Sequence, residues 1–365
     1  MGHGRFATLV ALLCLGSGCV ESSPDPGSAE SPLLDGVIGS PHPENVPRFY
    51  RMGPGGSATA IQPSAVHGPN VAVVLPGFSC DWRAMTSVTD FLVGFPRGGL
   101  ATHAPLYQDV IVFQYDTYHT RPSVSAGLLR DGLDTLPANV KGVDFYAYSL
   151  GNMVTRYAYE RLAVGSRMGD VTRRIVSLGG LNYGVPDAVV SSFASYVGFY
   201  VPDLMMPPPT ELLEETGGGA RDDPQDPLRS AIFKELNDNP SPFADHAQYF
   251  VIAGTRPDTI TPHPDPVQPQ AGLLEKEYQA LAPSLDPQSD GILSIKNARG
   301  DGVLDARRGT IVRREVATDH LHMIGIQTFL GHEYVPGSGY QPVLGPLHVE
   351  VEQQLRAWLA TFPPP

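Results

Sequence analysis

The chain has 365 residues, 42% of them hydrophobic and 17% charged, which suits a globular core and excludes a wholly disordered chain. Its formal net charge is −13 and no basic cluster with interleaved aromatics offsets it, so nucleic acid is excluded as a partner. With 39 glycines and 36 prolines, many long loops are expected.

Arg5 and the apolar run Phe6 to Leu15 open the chain in the pattern of an export signal, too short to span a bilayer. Small residues then lead to Cys19 in LGSGC, which resembles the lipobox of bacterial lipoproteins. That resemblance implies a signal peptide over residues 1–18, a lipidated Cys19, and an exported protein anchored by lipid in the bacterial cell envelope. Simple secretion is the alternative. Residues 19–47 are rich in Pro, Ser, Gly and acidic residues and read as a flexible tether. Beyond Cys14 and Cys19 the sequence has only Cys80, so no disulfide framework and no cysteine metal site is expected.

A single domain is expected over residues 48–365. Val71 to Leu75 (VAVVL) is a continuous apolar run, as a parallel strand buried on both faces requires. Val110 to Tyr115 is a second such run, and Ser123 to Leu136 has apolar residues at helical spacing. Val143 to Tyr148 predicts a third strand, Gly151 to Ala163 a helix, and Arg174 to Gly180 a fourth strand. Gln248 to Thr255 and Thr310 to Ala317 predict the fifth and sixth. His332, in GHEYVPGSG, reads as a loop residue, and His348 to Phe362 closes the chain as an amphipathic helix. Strands alternating with helices predict an α/β fold with a mainly parallel, doubly wound sheet covered on both faces. In such sheets ligands bind at the carboxyl ends of the strands.

Ser149 stands at one of those ends, in DFYAYSLGNM, between a strand and a helix. Ala147 and Gly151 flank it at two residues on either side, small enough for the close packing of a nucleophile elbow. The bland reading is a strand-to-helix turn with serine as N-cap. A serine needs a base to take its proton. His320 and His322 follow the last predicted strand, and His320 lies nearer its end. Asp258, Asp290 and Asp301 are the candidates for the acid that orients the imidazole, and spacing does not choose among them. For an oxyanion, Leu150 N–H and Phe78 N–H are the expected donors, the latter in PGFSCDW after the first strand.

Together these residues resemble the α/β-hydrolase superfamily and, within it, the bacterial lipases and lipase-like esterases. PGF resembles their oxyanion segment with Pro76 in place of histidine, and AYSLGNMVTRYAYE their elbow and following helix. SDGILSIKNA resembles the stretch that carries the family's acid, and DHLHMIG the stretch with its histidine. The resemblance implies an α/β-hydrolase fold and a serine hydrolase of carboxylic esters with Ser149, Asp290 and His320 as its triad. Asp301 stays as the alternative acid, because a second Asp-Gly lies inside a long gap between Asp290 and His320. The resemblance also implies a lidded site for lipidic or hydrophobic acyl esters, with residues 187–247 as the lid. Asp187 to Pro209 suits a lid by its apolar, aromatic and methionine content, although a core helix reads the same way. No cofactor is implied. The family's occasional structural calcium has no clear ligand set among the aspartates between Asp286 and Asp305. A monomer is expected, with the membrane reached only through the anchor. The alternative function is a binding or structural lipoprotein that keeps the fold without the chemistry, a reading favoured by Ala147 and Pro76.

Overall fold

The computed structural model describes residues 48–78, 80–96, 103–117, 120–184, 231–239, 241–243, 246–256, 288–305, 310–326, 332–335, 339–342 and 344–362. The expected signal, the tether with Cys19, Asp258 and most of the 187–247 insertion lie outside them.

Six strands carry the parallel part of the sheet: β3 (Asn70–Leu75), β4 (Asp109–Gln114), β5 (Gly142–Tyr148), β6 (Thr172–Leu178), β7 (Gln248–Gly254) and β8 (Ile311–Val316). These match the six predicted runs to within two residues at each end. Two further strands, β1 (Arg48–Met52) and β2 (Ala58–Ile61), form an antiparallel hairpin on the β4 edge. The order across the sheet is β2-β1-β4-β3-β5-β6-β7-β8. The hairpin was not foreseen, because its strands are short and half-exposed. Its hold on the sheet is Phe49, opposite Phe113 in register with ring centroids 5.0 Å apart. A second correction concerns His332, expected in a loop: it begins β9 (His332–Val335), which pairs with β10 (Gly339–Pro342).

Alternation along the buried strands sends side chains to two layers. Val71, Val73 and Leu75 pack with residues of α2 (Pro122–Leu133), α3 (Leu150–Tyr157), α4 (Arg167–Val171), α5 (Ala231–Asp238) and α6 (Ile295–Arg299). Ala72 and Val74 face α1 (Thr86–Val93) and α7 (Val349–Thr361). The edge strand β8 is half-exposed and charged at Arg313, Arg314 and Glu315, which suits an edge open to water.

Sheet order reverses around β3: its chain successor β4 lies on one side and β5 on the other. The loops after β3 and β5 therefore part toward opposite faces. Between their carboxyl ends opens the crevice where ligands of such sheets bind. PGF follows β3 and Ser149 follows β5, so the fold puts both at that crevice.

Candidate active site

Ser149 turns the chain from β5 into α3. Its N–H donates to the Leu178 carbonyl at 3.0 Å, and its own carbonyl accepts from Asn152 N–H and Leu181 N–H, each at 3.1 Å. The turn is thereby tied to the end of β6. Its backbone angles are φ 51° and ψ −118°, and it is the only non-glycine residue with positive φ among the described residues. Such a conformation costs an L-residue roughly 1–3 kcal/mol and persists only where the surroundings enforce it. The close packing is direct. A Cβ on Gly151 would lie 2.7 Å from the Pro76 carbonyl oxygen, and one on Gly77 would lie 2.9 Å from Ser149 Cβ. Ala147 is fully buried on the α2–α3 side of the sheet, so its methyl group is part of the core there.

The strain can be measured. Ser149→Gly and Ser149→Ala both remove the hydroxyl, but only glycine relieves the backbone. Urea unfolding should find the glycine variant more stable than the alanine variant by about 1 kcal/mol, the reverse of their order in an ordinary helix or strand.

The loop after β8 returns across the ends of β7 and β6 to reach β5. Glycine makes room at both crossings. A Cβ on Gly254 would lie 2.5 Å from the Thr318 carbonyl oxygen and 2.9 Å from Asp290 Cβ; one on Gly179 would lie 3.0 Å from His320 Nδ1. His320 arrives with its polar atoms fixed. Its N–H donates to the Asp290 carbonyl at 2.9 Å, and its carbonyl accepts from Tyr148 Oη at 3.0 Å. Nδ1 stands 2.6 Å from Asp290 Oδ2. Nε2 is buried and has no hydrogen-bond partner among the described residues. With a proton on Nδ1 shared toward the carboxylate, Nε2 is the acceptor.

Asp290 is itself held. Its other oxygen, Oδ1, accepts from Ile292 N–H at 3.0 Å and Leu293 N–H at 2.7 Å, and the residue is fully buried. Asp301 is elsewhere. It is about one-third exposed and forms ion pairs with Arg299 and Arg313, each at 3.3 Å. His322 has a carboxylate of its own, with Nδ1 2.6 Å from Asp319 Oδ2. Asp319 is fully buried and also accepts from Leu321 N–H and His322 N–H at 2.9 Å. That pair folds the loop on itself and leaves His320 to face the distant acid.

On the other wall, Tyr115 Oη donates to the Pro76 carbonyl at 2.8 Å and anchors the PGF loop. The Gly77 carbonyl accepts from Cys80 N–H at 3.3 Å, and no peptide here is cis. In a trans peptide the adjoining N–H points the opposite way, so Phe78 N–H is directed away from that turn. Leu150 N–H is the first amide of α3 and has no carbonyl to bond within the helix, which leaves it at the positive end of the helix dipole. Cys80 is buried beneath the loop, and burial, with the Asp81 charge beside it, pushes its thiol pKa up to about 12, so it offers no thiolate.

The described aspartates between residues 286 and 305 have side-chain partners of their own: Asp290 with His320, Asp301 and Asp305 with Arg313. No group of three or more His, Cys, Asp or Glu residues suited to a metal ion occurs among the described residues.

A mainly parallel eight-stranded sheet with helices on both faces and a strained serine between strand and helix decides the architecture. The fold is that of the α/β-hydrolases. No protein-family model matches the sequence, and no curated protein matches it. Among solved structures, the chain is similar to the mature lipase BlEst2 of Bacillus licheniformis, at 15% identity and a TM-score of 0.46 over 76% of this chain and 92% of that one. It is also similar to the metagenomic carboxyl esterase MGS0156, at 17% identity and a TM-score of 0.45 over 86% and 88%. A third is the RedJ thioesterase of Streptomyces coelicolor, at 15% identity and a TM-score of 0.39 over 82% and 91%. Likeness of this degree says nothing about activity or substrate.

Four residues of the site escaped the sequence reading. Tyr148, Gly179 and Gly254 act across the chain and Asp319 acts locally, and only the glycines left a trace: Gly254 ends β7 and Gly179 directly follows β6, each where a neighbouring loop must cross.

Proposed function

We propose that the protein is a serine hydrolase that cleaves carboxylic esters, with Ser149 as nucleophile, His320 as base and Asp290 as its orienting acid. The observation that supports it most is the state of His320. Backbone N–H, carbonyl and Nδ1 are all bonded, and only the buried Nε2 is left to take a proton. It belongs to a loop held by the residue that precedes the strained Ser149. The departures that favoured a chemically silent protein are weaker grounds here, since Ala147 is accommodated in the core and Pro76 is anchored through Tyr115.

In the reaction, His320 Nε2 accepts the Ser149 hydroxyl proton as Oγ attacks the ester carbonyl. Leu150 N–H and Phe78 N–H stabilise the oxyanion. His320 then gives its proton to the departing alkoxide, leaving an acyl-serine and an alcohol. Water, deprotonated by the same Nε2, releases the acid. The substrate in this reading is an ester with a hydrophobic acyl group, met at an envelope membrane to which Cys19 anchors the chain. A fluorophosphonate probe should label wild-type protein at Ser149, and the label should be absent from Ser149→Ala. Wild type should also hydrolyse short p-nitrophenyl esters far faster than that variant. A folded wild type that takes no label and matches the variant's rate would sink the proposal.

A further inference from the structure

Tyr148 precedes the proposed nucleophile and does none of its chemistry, yet it touches both walls of the site. It ends β5 with its side chain on the face opposite Ala147, toward the layer of α1 and α7, and is 98% buried. Its hydroxyl donates to the His320 carbonyl at 3.0 Å. Its ring lies against the His320 imidazole, with centroids 4.9 Å apart and planes tilted by 37°. On the other side, a Cβ on Gly77 would come within 2.8 Å of Tyr148 Cδ1, so the ring also bears on the PGF loop.

Asp290 controls the imidazole through Nδ1 alone, and rotation about that bond would still swing Nε2. The histidine's main chain belongs to a loop that has travelled past two strands from β8 and is not part of the sheet where it ends. Tyr148 adds a second bond to that main chain, on the carbonyl, beside the one its N–H makes to Asp290, and one flat surface against the ring. Because it adjoins Ser149 in sequence, it ties the position of the base to that of the nucleophile. We infer that Tyr148 is a positioning residue for proton transfer, setting Nε2 of His320 against Ser149 Oγ. The inference rests on the ester-hydrolase reading of this site. Removing the hydroxyl releases the His320 carbonyl, while its N–H stays bonded to the Asp290 carbonyl and the tyrosine ring stays in place. Small misplacements of a base cost rate and leave substrate affinity alone, and about 1 Å can cost about 100-fold.

The test uses full-length protein and p-nitrophenyl butyrate, with active sites counted by titration with a fluorophosphonate so that rates are per competent site. Tyr148→Phe should lower kcat per site about tenfold with KM within about twofold, and slow fluorophosphonate labelling by the same factor. Tyr148→Leu, which also removes the ring, should lower kcat per site further, by about 100-fold. A merely structural role would reduce the number of titratable sites and leave the rate at each one unchanged. If wild type hydrolyses the ester and takes the label while Tyr148→Phe keeps the full rate per site, the inference is overturned and the hydrolase reading stands. If wild type does neither, both fall.

Discussion

Asp290→Asn should lower kcat for a p-nitrophenyl ester by about 10,000-fold at neutral pH while leaving the urea midpoint of unfolding nearly unchanged. The reason is the direction of one proton. In wild type the Asp290 carboxylate accepts at 2.6 Å from His320 Nδ1, which makes Nε2 the basic nitrogen. An asparagine can keep its oxygen toward the amides of Ile292 and Leu293, where Oδ1 of Asp290 now accepts. Its NH₂ group then faces Nδ1. Two donors cannot share that contact, so the imidazole takes the other tautomer and Nε2 becomes a donor. The geometry survives and the base is lost. Asp301→Asn is the matched control. It removes ion pairs between groups that are each partly exposed, worth about 0–1 kcal/mol, and should leave kcat unchanged. Steady-state kinetics on the two variants separates the candidates that the sequence left open. Full activity in Asp290→Asn with loss in Asp301→Asn would reverse the assignment.

That ambiguity shows where sequence reading stops. The strands β3 to β7 were legible because burial on both faces leaves a continuous apolar run, and the elbow was legible because strand, serine and helix are contiguous. The acid was not legible in this way. Asp290 and Asp301 both sit in Asp-Gly turns, and what separates them is a loop from β8 that passes over Gly254 and carries the His320 imidazole to Asp290 and not to Asp301. The two histidines of DHLH were ambiguous for a related reason: each has a carboxylate 2.6 Å from Nδ1. His322 takes the local one, three residues away, and folds its own turn. His320 takes the one thirty residues away and is 2% exposed. Sequence distance and burial, both consequences of the crossing, distinguish the pair. Tyr148 reads as a strand residue because it is one. Its second task is visible only once the loop after β8 has come back over the sheet.

Arg156→Met should destabilise the fold by about 3–5 kcal/mol, the cost of leaving a buried charge without its partner. Arg156 and Glu160 are both fully buried, 3.0 Å apart, where α3 gives way to a π-helical turn over Ala158–Leu162. The helix was expected to run unbroken to Ala163. In the observed turn, Glu160 points inward and accepts from both Arg156 Nε and Tyr249 Oη. The same guanidinium donates to Asn182 Oδ1 at 2.9 Å and Asn237 Oδ1 at 3.0 Å. Asn182 in turn is bonded to Asn152 and, through its N–H and amide, to Asn297 in α6. One cation thus joins the helix that follows Ser149 to the element that follows Asp290. Methionine fills much of the arginine's volume but removes the cation 3.0 Å from the buried Glu160 carboxylate, so the desolvation that this cation offsets goes uncompensated. Adding Glu160→Leu should recover most of the loss, since an apolar pair of similar volume needs no partner charge. Urea denaturation with unchanged m-values would measure both steps. If the single variant lost less than about 1 kcal/mol, the pair would be no costlier to break than a surface salt bridge, and the buried charge would have to be satisfied by neutral donors alone.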